Sequence, residues 1–202
     1  MFDIIFDHLN LLSFNIVILS IILFFVGYTI APTIYYRKIR FFLAYPMWLN
    51  HFLESWMENK KMVLFAFFSI FFINAGFLAL VLLSGSIPVL PMILLIWMGI
   101  NIGVITYHTL KGQFYYSYLF TPVAILELGA VFITFSMALN INLLTLGKIF
   151  APYTKPFSGM EAYWDTFKII VIPLLVLAGI LELVLFKISK KLNDGSNPDD
   201  EE

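Results

Sequence analysis

The chain of 202 residues contains no cysteine. That excludes a disulfide framework, a thiolate metal site, a thiol nucleophile and redox chemistry at sulfur. Charge is also scarce, at 12% of residues against roughly 25% in soluble domains. The charges fall in short clusters between long uncharged runs, so no large water-soluble domain fits. A formal net charge of -1 gives no bulk attraction to nucleic acid, and no nucleic-acid partner is expected. Enzymatic signatures are missing too: there is no phosphate loop, dinucleotide fingerprint or Gly-x-Ser-x-Gly elbow. His51 and Glu54 stand at i, i+3 without the second histidine of a zinc-protease motif, and His8, His51 and His108 are scattered. No metal site, no cofactor and no enzymatic activity are therefore expected.

What is abundant is apolar. Hydrophobic residues make up 61% of the chain and aromatic residues 18%, more than a soluble fold can cover, so the bilayer is the expected solvent. A spanning helix needs about 20 mostly apolar residues, and the gaps between charges predict five, at 11–35, 62–83, 91–108, 114–139 and 166–186. The first is read as a retained helix, because no positive n-region precedes it and no small-residue cleavage motif follows it. Gly85, Pro88 and Pro91 separate the second from the third and permit a tight reversal. Between the last two lies 140–165, read as the only sizeable loop on its side, with Gly147, Pro152, Pro156 and Gly159 as breakers. The expected architecture is all-α: one transmembrane helical domain over 1–192, followed by a disordered acidic tail at 193–202.

Orientation follows from Lys and Arg, which accumulate on the cytoplasmic side. Arg37, Lys38, Arg40, Lys60, Lys61, Lys111, Lys187, Lys190 and Lys191 share one side of a five-helix arrangement, with Lys148, Lys155 and Lys168 opposite. This predicts a multi-pass protein of the cell membrane with its amino terminus outside and its carboxyl terminus in the cytoplasm. On the cytoplasmic side, 47–59 is amphipathic. Trp48, Leu49, Phe52, Leu53, Trp56 and Met57 take one half of the helical wheel, and Asn50, His51, Glu54, Ser55 and Glu58 the other. Too short to span, it reads as a helix in the inner interface or against the bundle ends, with docking onto a soluble partner a third use. Pro46 is expected to mark its start.

Carboxylates inside spans are costly in hydrocarbon and normally face a bundle interior, a cavity or a partner. Glu127 is such a residue, and it follows Thr121-Pro122, where proline is expected to kink the helix and free a carbonyl. Glu127 is either the centre of a polar site or a protonated strut between helices. Asn74 and Asn101 are its candidate partners, although amides in spans more often bridge helices. Glu182, nearer the end of its span, is expected to approach the interface or to pair with Lys187. Gly99 and Gly103 form a small-xxx-small pair suited to close helix packing.

On these residues the carboxyl-terminal two thirds, about 65–188, resembles the stage II sporulation protein M family of integral membrane proteins. Asn74 in Phe72-Ile-Asn-Ala, Gly85, and Gly99 with Gly103 match the family's motifs, while Ala75 and Met98 replace expected asparagines. The hallmark Leu-Pro-His-Gly-x-x-Glu reads here as Phe120-Thr-Pro122-Val-Ala-Ile-Leu-Glu127, with histidine and glycine replaced by Val123 and Ala124. Leu177-Ala-Gly-Ile-Leu-Glu182 is similar to the end of the family's last helix. The resemblance implies a non-enzymatic membrane scaffold or assembly subunit that organises partner proteins; independently of it, protein partners or a homo-oligomer are expected. The residues leave a second expectation open, a transporter or channel-like permease whose polar path runs past Glu127, Asn74 and Asn101 and is opened by a kink at Pro122.

Overall fold

The uncharged runs fold as helices because, in hydrocarbon, a helix satisfies its own backbone groups. The computed structural model describes residues 12–57, 63–150 and 160–194, and no strand occurs among them. The order is α1 (Phe14–Tyr36), α2 (Arg40–Met57), α3 (Val63–Ser84), α4 (Leu90–Thr109), a 3₁₀ turn (Ser117–Phe120) and α5 (Pro122–Phe150). Last comes α6 (Met160–Thr166), which passes through a π-helical segment (Phe167–Val171) into α7 (Ile172–Asp194). Four stretches are long and apolar enough to cross a bilayer: Phe14–Tyr36, Leu90–Thr109, Pro122–Gly147 and Met160–Leu185. Within α3, Phe68–Ser84 adds a shorter apolar stretch. The chain is an all-α membrane protein.

Several boundaries differ from those read in the sequence. The fourth span does not start at residue 114. Residues 114–121 form turns, and Thr121, extended at φ −67° and ψ 144°, accepts the N–H of Ala124 at its Oγ1 (3.3 Å). Pro122 is then the first helical residue, a position that needs no N–H, so it starts α5 and introduces no kink. At its other end α5 runs on to Phe150, because Asn140 and Asn142 are not loop residues. Asn142 is fully buried and staples the α3–α4 turn: Nδ2 donates to the carbonyls of Gly85 (3.3 Å) and Ile87 (2.7 Å), while Oδ1 accepts the N–H of Val89 (3.2 Å).

The last helix likewise begins six residues early, at Met160. Asp165 and Lys168 pair on its exposed side (3.3 Å), so these charges ride the helix surface and do not end it. The loop expected at 140–165 shrinks accordingly, and 151–159 lie outside the described residues. So does most of the tail expected at 193–202, apart from Asn193 and Asp194 at the end of α7. Residues 1–11 and 58–62, which include His8, Lys60 and Lys61, also fall outside.

Pro46 lies inside α2 and does not mark its start. The turn ahead of it is held by Phe41 and Phe42, whose rings meet Trp97 of α4 at 5.6 and 5.4 Å between centroids. On α2, exposed Trp48 stacks on Phe52 (5.5 Å, 15°); an exposed tryptophan suits the headgroup region.

α1 and α4 run parallel and form the most extensive helix pair. A methyl at Gly27 would strike the carbonyl of Ile96, and one at Gly99 the carbonyl of Phe24; at Gly103 it would lie 2.6 Å from Ala31 and 2.7 Å from the Tyr115 hydroxyl. Only glycine permits this approach. Pro32, inside α1, has no N–H to offer the Tyr28 carbonyl, and the Tyr115 hydroxyl fills that role at 2.5 Å. Tyr28 donates in return to the Tyr115 carbonyl (2.8 Å), and the two rings stack at 4.4 Å. Burial pushes the Tyr115 hydroxyl up from its ordinary pKa, so it remains a donor. This clasp ties the α4–α5 linker to α1. α5 occupies the centre of the bundle, burying Val131, Phe135, Ala138 and Ile141 in the main core.

Candidate intramembrane site

The start of α5 at Pro122 sets the position of Glu127 by placing it in the second helical turn. From there Glu127 lines a partly open cavity of about 250 Å³ between α3, α4, α5 and α7. Asn74 reaches the same cavity from α3 and Glu182 from α7. Glu182 thus turns into the bundle and towards Glu127, against the expectation that it would seek the interface. Most of the remaining wall is apolar, and no basic side chain lines it among the described residues. Tyr118 of the 3₁₀ turn and Leu49 of α2 also contribute to the wall. Burial first, and the neighbouring Glu127 carboxyl second, push Tyr118 up to about 12, so it presents a neutral hydroxyl.

None of Asn74, Glu127 and Glu182 is hydrogen-bonded to another described residue. Two carboxyls facing one apolar cavity without a basic partner disfavour two simultaneous negative charges, because each desolvated charge raises the cost of the other. The cavity has room for several water molecules or a small solute. Its polar groups are two carboxyls, an amide and a phenol, acceptors for a proton or a cation.

Asn101 does not join this group. It is buried in α4, its Nδ2 donates to the Trp97 carbonyl one turn back (2.8 Å), and its Oδ1 has no partner among the described residues. Pro122 positions the site from outside it. Gly99 and Gly103 belong to the α1–α4 contact within the chain, opposite Gly27, which the sequence reading did not single out. Tyr118 and Leu49 were also passed over. The signal for Tyr118 was available in Thr121-Pro122: a capping residue followed by proline marks a helix start, which frees the preceding residues to fold into a turn.

No protein-family description, curated protein or solved structure matches this chain.

Proposed function

We propose that this chain is a non-enzymatic, multi-pass subunit of the stage II sporulation protein M type that organises partner proteins in the cell membrane. One observation carries the reading. Three polar residues of that resemblance, Asn74, Glu127 and Glu182, stand on three different helices and line one cavity, while its glycines Gly99 and Gly103 serve the α1–α4 contact. The distribution of Lys and Arg supports an amino terminus outside and a carboxyl terminus in the cytoplasm. Partners would meet the chain at its spans and at α2, whose exposed Tyr45 and Trp48 offer aromatic contact. The test is gentle extraction at native expression, with mass spectrometry of the proteins that co-purify. A stoichiometric partner is expected, and a clean homo-oligomer would sink the scaffold reading.

A second reading, a cation-coupled permease, is favoured by the two carboxyls facing an otherwise apolar cavity. In this reading Glu127→Gln abolishes ion- or proton-coupled flux into liposomes while assembly is unchanged. Absence of flux through the unmodified chain would eliminate it.

A further inference from the structure

The ends of α1 and α4 carry a feature unrelated to the carboxyl cavity. The two helices are parallel and in step, so Tyr35 meets His108, with its hydroxyl 2.9 Å from Nδ1. Three residues further along each helix stand Lys38 and Lys111. Both are in the left-handed region, at φ 52° and 51°. Each is followed by an N–H that returns to a carbonyl five residues back: Ile39 to Ile34 (3.3 Å) and Gly112 to Tyr107 (3.0 Å). Glycine is the residue that fits this helix ending without strain. Lysine at both positions places two ammonium groups at the same end of the bundle.

A helix dipole accounts for a cation at each carboxyl end, but not for the concavity beside Lys111, at the end of the bundle where Lys38 also stands. A pocket of about 570 Å³ is lined by Tyr35, Tyr36, Tyr107, His108, Thr109 and Lys111. Its side chains present donors. Tyr107 donates to the Tyr36 hydroxyl (2.5 Å), which leaves the Tyr36 proton for an outside acceptor. When Tyr35 donates to Nδ1 of His108, the ring proton sits on Nε2 and is likewise available. Lys111 is in no ion pair among the described residues. Arg37 and Arg40 flank Lys38 in sequence, and no carboxylate occurs in 37–53 or 102–126. The pocket is therefore basic, rich in hydroxyl donors and framed by tyrosines at the end of two spans, the depth at which lipid headgroups lie.

We propose that this pocket holds a phosphate group, supplied by an anionic phospholipid headgroup or by a free phosphate ion. The full chain, stripped of lipid in mild detergent, is titrated by native mass spectrometry with phosphatidylglycerol, with phosphatidylcholine and with inorganic phosphate. Phosphatidylglycerol should be retained over phosphatidylcholine, whose choline offsets the phosphate charge. Displacement of phosphatidylglycerol by inorganic phosphate at comparable concentration would identify the free ion as the source, and resistance to displacement would identify the headgroup.

Lys38→Gly combined with Lys111→Gly removes both charges while relieving the backbone. Its thermal stability should equal or exceed that of the unmodified chain, and its phosphatidylglycerol affinity should fall roughly fivefold per lysine. Lys168→Gln, at the other end of the bundle, should change nothing. Equal retention of the two lipids, or undiminished binding by the stable double-glycine variant, would overturn the proposal.

Discussion

Between α1 and α4 the backbones nearly touch, whereas the other face of α4 joins α3, α5 and α7 around a cavity of about 250 Å³ with two carboxyls in its wall. In a bilayer, lipid tails are as apolar as leucine, so helices associate through close contact and not through escape from solvent. The first region uses that principle fully: Gly27 and Gly99 let a carbonyl of the opposite helix occupy the space of a side chain. The second forgoes it. Gly179 of α7, in the recess beside the acids, has no neighbouring atom within 4 Å of where a Cβ would stand, while Gly76 of α3 is exposed. The α1–α4 contact is closely packed, and the walls that carry the acids leave space.

The largest expected effect tests the close contact. Gly99→Ala would drive a methyl into the carbonyl of Phe24, and since backbone cannot move aside cheaply, a loss of about 3 kcal/mol is expected. Denaturant unfolding in detergent measures it. An unchanged midpoint would erase the contrast between the two regions.

Next comes the seam between them. Asn142→Leu removes the donors and the acceptor that secure the α3–α4 turn and strands buried backbone groups, at an expected cost of about 2 kcal/mol. Thermal unfolding in the same detergent reads it, and a loss within error would mean that the turn holds without its staple.

Smaller still is the clasp. Tyr115→Phe keeps the stacked ring but leaves the Tyr28 carbonyl without its donor, at an expected cost of about 1 kcal/mol. Pro32→Ala supplies a helical N–H to that carbonyl, so in the Pro32→Ala background the tyrosine substitution should cost less. A double-mutant cycle with no coupling would refute the link between Pro32 and Tyr115.

The two regions also differ in how far they could be read in advance. The spans were legible because length and the absence of charge are one-dimensional properties. Gly99 and Gly103 were legible as a contact, but their partner at Gly27 was not, since a lone glycine in an apolar run has no pattern. Glu127 and Glu182 were marked by the cost of charge in hydrocarbon, yet their convergence, and the exclusion of Asn101, depend on helix rotation. Rotation leaves no periodic trace in helices that are apolar all round. Pro46 and Pro122 were read as a helix start and a kink, and Asn142 fell in the segment expected as a loop; each has a compensation: aromatic packing on Trp97, a first-turn position that needs no N–H, and a sideways bond to another turn.

The smallest expected effect falls in the open region and has the opposite sign. Alanine at Gly76 or Gly179 meets nothing within 4 Å, and helix propensity then favours it by roughly 0.5–1 kcal/mol. A gain of that size at Gly179 would establish that the space beside the acids is not a limit of what the helices can do, with exposed Gly76 as the control. The two sites then separate. Gly76 does not line the recess of about 20 Å³ in which Gly179 sits with Asn74, Glu127 and Glu182. If Gly179→Ala stabilises the chain but abolishes partner retention or flux, while Gly76→Ala stabilises it and leaves both intact, the space beside the carboxyls is used. If both variants are stabilised and fully competent, the cavity is a packing defect and the site reading of Glu127 and Glu182 fails.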